Sequence, residues 1–298
     1  MRIMSWNINL HGLDARVDAI AEAISGDGPD LLLLQEVPRA SQATATLVEA
    51  LGRTGLTHHC LDRAQPSAGE SRKSYGSLIA SRWRLTPNPG FANGVRFPEL
   101  LTRATVHAPV GDLDVFSVHI PNGSGHGWGK IDHLLALASE LVRADDSPRI
   151  VCGDFNEPRT WQTNGRLIPF AYDPDANGSE RMTPHVRSAH RDRPDDEREL
   201  AWWDYGVRSV LDGERFHGLR HIYHDRHGYS ETPVTYRTRA HPRFFDHGFV
   251  SRHFEVEDAG YHHAWRHPRS LSDHSPLWAD LRRVPTDRLP DLVRWSAP

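Results

Sequence analysis

The amino-acid sequence predicts an α/β fold in which strands and helices alternate along the chain. Short apolar runs of strand length, such as residues 31–34 and 149–153, are separated by segments whose apolar residues recur at helical spacing. Many of these runs end at or just before an Asn, Asp, Glu or His. Strand ends are where a rigid scaffold presents polar side chains to a cleft, so the same pattern predicts a functional site at the strand ends.

The N-terminal part of the chain predicts two strand–helix pairs. Residues 2–9 alternate loosely as a strand, and apolar residues at helical spacing predict a helix over 13–24. A continuous apolar run then predicts a buried strand over 31–36, and a second helix covers 42–51.

The middle of the chain predicts three strands and one helix. The strands cover residues 75–81, 101–106 and 113–120. The glycine-rich stretch 122–129 predicts a loop, and apolar residues at helical spacing predict a helix over 131–142.

The remaining strands are predicted at residues 149–156, where a turn follows the strand, and at 245–251 and 275–281. The pattern is weak between 157 and 244, where a helix over 199–211 is the clearest element.

The chain of 298 residues is predicted to form one domain over 1–283, followed by a C-terminal tail, 284–298. No run approaches the ~20 apolar residues of a membrane span. Cys60 and Cys152 make neither a disulfide framework nor a zinc site. Residues 1–7 lead directly into a polar motif, so we expect no secretory signal and a cytoplasmic protein. The net charge of −4 argues mildly against tight non-specific binding of nucleic acid but does not exclude a nuclease, because a bound cation and a local basic rim can suffice.

Six motifs carry the polar residues at the strand ends. Together they predict a metal-dependent site that cleaves phosphoesters. In chain order they are Ser5-Trp6-Asn7-Ile8-Asn9, Leu34-Gln35-Glu36-Val37, Ser117-Val118-His119-Ile120-Pro121-Asn122, Gly153-Asp154-Phe155-Asn156, Phe245-Asp246-His247 and Ser272-Asp273-His274-Ser275-Pro276.

Glu36 and Asp273 are the candidate carboxylate ligands of a metal ion. Mg²⁺ prefers oxygen ligands and often takes one or two carboxylates, with waters and substrate phosphate completing its shell. An amide oxygen of Asn7 or Asn9 would add to such a site, and Mn²⁺ is the alternative cation. Taken alone, each carboxylate also has a structural interpretation, as the cap of a loop or a turn.

Asp154 and Asn156 lie two residues apart after a strand, and Gly153 permits a close backbone approach there. We expect Asp154 to hold and help deprotonate the attacking water. Asn156 would hydrogen-bond the phosphoryl oxygen as charge grows on it. A plain turn is the structural alternative, since Asp and Asn are common turn residues.

His119 and His274 are candidates to bind phosphate oxygens or to shuttle a proton. Such a histidine needs a carboxylate behind it, and Asp246 is the candidate partner of His274. Four further histidines match no transition-metal spacing and are predicted to lie in a polar loop: His217, His221, His224 and His227.

Three other residues are candidates for substrate binding. Arg103 is a charged residue in an apolar strand, and it either reaches the phosphate or pairs with an acidic residue. Asn122 follows the His119 motif. Trp161 follows the Asn156 turn and would stack on a base or an apolar group, although aromatic residues more often serve packing.

Taken together, the six motifs resemble the endonuclease/exonuclease/phosphatase superfamily, which includes exonuclease III, deoxyribonuclease I, inositol polyphosphate 5-phosphatases and neutral sphingomyelinases. The match runs from Asn7 to His274. The resemblance implies a four-layer α-β-β-α sandwich, with two mixed β-sheets packed face to face and helices outside. It also implies that residues 1–283 are a catalytic domain of this type. In that reading Glu36 is similar to the family's metal-binding glutamate.

The opening motif looks most like the exonuclease III branch. Abasic-site enzymes of that branch usually carry a tyrosine where this chain has His119, and a histidine is more typical of the deoxyribonuclease I, sphingomyelinase and phosphatase branches. Some abasic endonucleases also carry an aspartate where Asn9 stands, although other members use asparagine there. The histidine at position 119 speaks against abasic-site repair and leaves phosphoester hydrolysis untouched.

The sequence therefore predicts a hydrolase that cleaves a phosphoester by in-line attack of water, with a nuclease acting on DNA as the first expectation. The alternative is a phosphodiesterase or phosphatase acting on a small-molecule or lipid phosphoester, which the acidic net charge and His119 favour. A non-catalytic binding module on the same fold is the second alternative. It is disfavoured because every polar position that the chemistry needs is filled.

Overall fold

Two six-stranded β-sheets form the centre of the molecule. The computed structural model describes residues 1–61, 73–89, 94–142, 146–174, 180–182, 197–237, 241–267 and 269–289. Within these residues the strands are β1 Arg2–Asn7, β2 Leu31–Pro38, β3 His58–Leu61, β4 Tyr75–Ser81, β5 Leu85–Pro87, β6 Leu101–Ala108, β7 Gly111–His119, β8 Arg149–Asp154, β9 Thr160–Trp161, β10 Leu167–Ile168, β11 Tyr172–Pro174, β12 Glu180–Met182, β13 Arg220–His221, β14 Tyr236–Arg237, β15 Pro242–Arg243, β16 Asp246–Val250, β17 Phe254–Tyr261 and β18 Leu277–Arg283.

Helices connect these strands. They are α1 Val17–Asp27, α2 Gln42–Arg53, α3 Gly123–His126, α4 Trp128–Leu141, α5 Glu197–Leu211, α6 Gly213–Phe216, α7 Ile222–His227 and α8 His263–Arg266, with short 3-10 turns at Leu13–Ala15, Pro98–Leu100 and Thr286–Arg288. Among the described residues, no helix has both the length and the apolar character that a membrane span requires.

The two sheets repeat one strand pattern. The first has the order β17-β18-β1-β2-β4-β3, and the second has the order β13-β16-β8-β7-β6-β5. Each contains a central parallel pair, β1 with β2 and β7 with β8, flanked on both sides by antiparallel neighbours. Both sheets are therefore mixed. The carboxyl ends of each parallel pair and the amino ends of their antiparallel neighbours lie at the same edge.

Three hydrophobic clusters divide the molecule into four layers. One lies between the sheets and includes Leu33 of the first and Val115 of the second. A second covers the outer face of the first sheet under α1 and α2. The third covers the outer face of the second sheet under α4 and α5. This arrangement confirms the α/β class and the four-layer α-β-β-α sandwich.

The elements differ from the sequence predictions in several places, and two of them involve long elements. The stretch predicted as a loop over 122–129 contains α3 and the start of α4, so that prediction was wrong. The Asn122 side chain accepts a hydrogen bond from the Gly125 N–H and caps α3, and this cap offsets the poor helix propensity of glycine. Strand β17 was not predicted, although it forms a long pair with β18. Residues 290–298 of the predicted tail lie outside the described part of the chain.

The histidines predicted as a polar loop instead belong partly to the core. His221 and His224 are buried, with their rings stacked at 4.2 Å between centroids, and His221 Nε2 lies 3.0 Å from His247 Nδ1. Neither ring nitrogen of His224 has a hydrogen-bond partner among the described residues. Burial lowers the pKa of His224 to about 3 and that of His217 to about 4. These rings are therefore neutral packing groups at neutral pH.

The buried histidines make the fold sensitive to acid. Because their folded pKa values lie below the value of about 6.5 in an unfolded chain, the unfolded state binds more protons as the pH falls through 6.5. The free energy of unfolding should fall by on the order of 1–2 kcal/mol per such histidine between pH 7 and pH 5, measured by urea denaturation. His224→Phe should flatten this pH dependence, whereas the same substitution at the exposed His58 should leave it unchanged. An unaltered slope in His224→Phe would contradict this account.

Gly153 supplies a second test of the packing. A Cβ atom at this position would lie 1.8 Å from the Val118 carbonyl oxygen of the neighbouring strand, which is inside atomic contact. Gly153→Ala should therefore lower the free energy of unfolding by about 2 kcal/mol or more in a urea titration. Gly129→Ala is the matched control, because nothing lies within 4 Å of its added Cβ and alanine favours the helix, so it should be neutral or stabilising. Equal stability of the two variants would refute the close approach.

Candidate active site

The carboxylate of Asp154 is the centre of a polar cluster to which both sheets contribute. Asp154 ends β8 and is buried, and its Oδ2 lies 3.0 Å from Asn7 Nδ2, 3.7 Å from His119 Nε2 and 3.8 Å from His274 Nε2. Its other oxygen accepts a hydrogen bond of 2.9 Å from the Asn156 N–H. Residues from four of the predicted motifs therefore meet around one carboxylate, as the common edge of the strands requires.

A chain of hydrogen bonds connects the four predicted metal ligands. Asn7 Nδ2 donates to Glu36 Oε1 at 3.3 Å, and Asn7 Oδ1 accepts from the Asn9 N–H at 3.0 Å. Asn9 Nδ2 donates in turn to Asp273 Oδ1 at 3.0 Å. The amide nitrogens of both asparagines thus face carboxylates, while their oxygens accept backbone N–H groups. This arrangement favours Asn7 and Asn9 as residues that orient Glu36 and Asp273, rather than as ligands through their own oxygens.

Three residues of the cluster have left-handed backbone conformations. The φ angles of Asn9, Glu36 and Asn156 are 52°, 58° and 50°. Such a conformation is uncommon outside glycine, and strained residues of this kind concentrate at functional sites. Glu36 lies where the pairing of β2 with β4 shifts register, and the Leu10 N–H donates to its Oε2 at 3.2 Å. The irregular backbone turns the Glu36 side chain out of the strand and toward the cluster.

His274 is held as a cation between two carboxylates. Its Nδ1 lies 2.9 Å from Asp246 Oδ2, and its Nε2 faces Asp154. Burial acts to lower the pKa of His274, but the charges of Asp246 and Asp154 outweigh it and raise the pKa to about 10. Tyr236 stacks on the imidazole with ring centroids 4.5 Å apart. The ring is therefore protonated at neutral pH and fixed in orientation.

The pKa values of the two acidic residues nearest the cluster shift in opposite directions. Burial raises the pKa of Asp154, with a further contribution from Asp246, against the opposing charges of His274 and His119. Burial also acts to raise the pKa of Glu36, but the charge of His119 and the Leu10 and Asn7 hydrogen bonds outweigh it, so its pKa lies below the ordinary value. Glu36 therefore stays ionised over a wide pH range, whereas Asp154 is a stronger base than an ordinary carboxylate.

Asn156 and His119 form the remaining part of the cluster. Asn156 Nδ2 donates to the Ile120 carbonyl oxygen at 2.9 Å and lies 3.5 Å from His119 Nε2. His119 Nε2 is also 4.0 Å from Glu36 Oε1. These polar atoms are too far apart for strong hydrogen bonds to one another, so they remain able to bind an oxygen placed between them.

Two of the predicted substrate-binding residues lie elsewhere and are corrected. Arg103 makes two hydrogen bonds to Asp114, at 2.7 and 2.8 Å, and a third to Glu140 at 2.9 Å, so the acidic-partner alternative is the right one. Trp161 is buried and packs edge-on against His224 at 4.8 Å between ring centroids, so it offers no stacking surface. Asn122 is exposed and its oxygen caps α3, and its role toward substrate stays a prediction.

Sequence reasoning missed Tyr75 and Tyr236. The Tyr75 ring lies 5.8 Å from the His119 ring, and burial together with the charges of Glu36 and Asp154 raises its pKa to about 12. Tyr75 begins β4, which is antiparallel to β2, so its position at the site edge could have been inferred from the strand pattern. Tyr236 lies in the weakly patterned region, where the sequence held no comparable signal.

Two groups of side chains offer oxygen or nitrogen atoms to a metal. Among the described residues, Asp154, Asp246 and His274 have ligand atoms within 4.8 Å of one another. All three are buried, and His274 would have to lose its proton before it could bind a cation. Glu36 and Asp273 are more open, with Asp273 exposed. Carboxylate oxygens such as theirs are the ligand type that a hard divalent cation keeping several waters prefers.

The family follows from a match along the chain. A family model described as Endonuclease/Exonuclease/phosphatase family matches residues 4–274. The chain belongs to this family. Endonuclease/exonuclease/phosphatase proteins are phosphoester hydrolases and generally depend on a divalent metal. Sequence comparison with curated proteins finds no match.

Solved structures of the family share the fold over nearly the whole chain. A 3' phosphatase from Neisseria bound to a product DNA hairpin has a TM-score of 0.61 at 21% identity and covers 95% of this chain and 99% of its own. An AP endonuclease from Archaeoglobus fulgidus has a TM-score of 0.61 at 18% identity, with coverages of 94% and 98%. ANGEL2, a 2',3'-cyclic phosphatase, has a TM-score of 0.59 at 17% identity and covers 95% of each chain. These likenesses show the fold and leave the substrate open.

The Asp246–His274 contact predicts a measurable change in charge. Asp246→Asn should lower the pKa of His274 from about 10, because Asp246 is the strongest influence opposing desolvation. An NMR titration of the imidazole in metal-free protein measures this shift. Asp112→Asn, which removes the carboxylate beside His107 on the surface, is the matched control and should leave His274 unchanged. The same His274 pKa in Asp246→Asn and in the unaltered protein would show that this contact does not set its charge.

Proposed function

We propose that the protein is a divalent-metal-dependent phosphoesterase whose preferred substrates are nucleic-acid phosphodiesters. The observation that carries the proposal is the convergence of Asn7, His119, Asn156 and His274 on the buried carboxylate of Asp154. Asn7, which donates to Asp154, also donates to Glu36, and the pKa of Glu36 is lowered so that this carboxylate is ionised. A base, several donors and an oxygen-rich metal position within one cluster are the parts that phosphoester hydrolysis needs.

Asp154 holds the attacking water and accepts its proton. Its raised pKa supports this role, because a general base works best when its pKa approaches the operating pH. Burial also shields the carboxylate from bulk water, so its hydrogen bonds to the reacting groups are strengthened.

His274, His119 and Asn156 bind the phosphoryl oxygens. The protonated His274 supplies a positive charge where negative charge develops, and Asp246 keeps it protonated. His119 Nε2 and Asn156 Nδ2 lie 3.7 and 3.5 Å from Asp154 Oδ2. The three side chains thus place donors close to the carboxylate that holds the water.

Glu36 and Asp273 would hold the metal, with Mg²⁺ as the first candidate and Mn²⁺ as the alternative. When bound, such an ion neutralises phosphate charge and stabilises the leaving oxygen. Asn7 and Asn9 orient the two carboxylates for this purpose.

A basic and aromatic rim beside His119 favours a nucleic-acid substrate. Lys73 Nζ lies 3.1 Å from His126 Nε2 and 4.7 Å from the centre of the Phe97 ring, and the exposed Arg96 lies over the same ring. Lys73 is also 5.9 Å from the Tyr75 ring at the edge of the site. Phe97 is buried, so the rim contributes through its positive charge, which suits a phosphate backbone. The Neisseria 3' phosphatase and the Archaeoglobus AP endonuclease are relatives that support the same substrate class.

A small-molecule or lipid phosphoester is the second candidate. The net charge of −4 and the histidine at position 119 favour it, and ANGEL2 is a relative that acts on a cyclic phosphate. A cytoplasmic location and a single catalytic domain over 1–283 remain part of the proposal.

A substrate panel with and without EDTA tests both candidates. It contains plasmid DNA, an abasic duplex, RNA, sphingomyelin, inositol phosphates and a chromogenic phosphodiester. Nuclease activity that EDTA abolishes, together with a steep loss of DNA affinity as salt rises, is the expected result. Turnover of a small phosphoester with flat, weak DNA binding would favour the second candidate. No EDTA-sensitive turnover of any member would refute the proposal.

Glu36→Gln removes one negative charge and keeps the shape of the side chain. It should lower turnover by roughly 100-fold at fixed Mg²⁺ while the thermal midpoint stays nearly the same. Glu49→Gln, on an exposed face of α2, is the matched control and should keep full activity. Full activity of Glu36→Gln would exclude this carboxylate from the reaction.

A further inference from the structure

Arg16 connects the two loops that carry the proposed metal-binding residues. It lies between the Leu13–Ala15 turn and the start of α1. Its guanidinium group donates hydrogen bonds to four backbone carbonyl oxygens, those of Ile8 at 2.9 Å, Asn9 at 2.5 Å, His11 at 2.7 Å and Leu271. One side chain therefore joins the loop after β1 to the loop before β18.

The two loops meet at the metal position. Asn9 has a left-handed backbone, and its amide donates to Asp273, which lies two residues after Leu271. This side-chain hydrogen bond is exposed, so water competes for it. The Arg16 contacts hold the backbone on both sides of the same junction. They fix the position from which Asn9 reaches Asp273.

We propose that Arg16 is a positioning residue that holds the Asn9 and Asp273 loops in the geometry that divalent-metal binding requires. The inference rests on the proposed function, since it takes Asp273 as part of the metal position. Outer residues that orient ligands typically change metal affinity or activity by roughly 10- to 100-fold when they are removed.

The charge of Arg16 and its four hydrogen bonds have opposite effects on metal affinity. A positive charge near Asp273 repels a second cation, so loss of the charge alone should strengthen metal binding. Burial lowers the pKa of Arg16 while the charge of Asp273 acts to raise it, which agrees with an interaction between the two groups. Loss of the four hydrogen bonds should instead release both loops and weaken metal binding. The sign of the change therefore distinguishes the two roles.

Lysine cannot replace arginine in these four hydrogen bonds. A guanidinium group has five N–H donors in a planar fork, whereas an ammonium group has three donors at a single point. Arg16→Lys keeps the charge and loses the reach to four carbonyl groups. Arg16→Met loses both.

Calorimetric titration of the full-length protein with MgCl₂, and separately with MnCl₂, tests the proposal without a substrate. Arg16→Met and Arg16→Lys should each bind the ion roughly tenfold more weakly than the unaltered protein. Arg53→Met, an exposed arginine on α2, is the matched control and should bind as tightly as the unaltered protein. If Arg16→Met binds the metal equally or more tightly, Arg16 acts through its charge and the positioning role is overturned.

Two further measurements keep the result decisive. Metal-free urea denaturation shows whether each variant is folded, and Arg16→Lys takes the place of Arg16→Met if the latter is not. Added guanidinium ion at concentrations well below denaturing levels should restore part of the affinity in Arg16→Gly, an effect that general destabilisation would not produce.

If the unaltered protein binds neither metal, the proposed function fails and this inference fails with it. If it binds and the variants match it, only the positioning role fails.

Discussion

The site depends on a hydrogen-bonded junction between the two sheets. Asn7 of the first sheet places one amide nitrogen between Glu36 of its own sheet and Asp154 of the second. Behind it, Gln35 donates to Ser5 within its sheet and to Ser117 across the interface, and Ser117 donates back to a backbone carbonyl of β2. Apolar side chains alone would allow the sheets to slide, whereas directional bonds fix how their edges meet. The distances from Asp154 to Asn7 and to His274 follow from that alignment.

The cluster combines strong charges with little solvent. His274 is protonated because two carboxylates surround it, and Asp154 is a stronger base because it is buried. Behind the Asn156 turn, the buried Lys130 lies 2.9 Å from Glu157 and donates to the Asn156 carbonyl oxygen. A buried ion pair contributes little net stability, but it restricts geometry strongly when both partners are hydrogen-bonded. The polar residues behind the cluster therefore act mainly on the position of Asn156.

In the structure Asn7, Glu36, His119 and Asp154 lie at or near the carboxyl ends of parallel strands, which meet at one edge of each sheet. The sequence was sufficient to place these residues at strand ends, but not to predict that the strands are parallel. It could not decide the partner of Arg103, since the acidic residues lie on β7 and α4 and only packing brings them near. The prediction that Trp161 stacks on substrate was wrong for a similar reason, because its burial depends on rings from the weakly patterned region. Helix α3 was not predicted from the sequence, because the Asn122 cap outweighs the poor helix propensity of glycine.

The pairing of β1 with β18 joins opposite ends of the chain. During synthesis the ribosome releases β1 early and the segment from Ser272 to His274 late. Until that late segment arrives, the imidazole that faces Asp154 is missing, and until β18 follows it, β1 has no antiparallel neighbour on one side. A growing chain, or one cut short before residue 272, therefore cannot assemble the cluster. The order of elements therefore leaves the polar cluster incomplete until the segment before β18 has been synthesised.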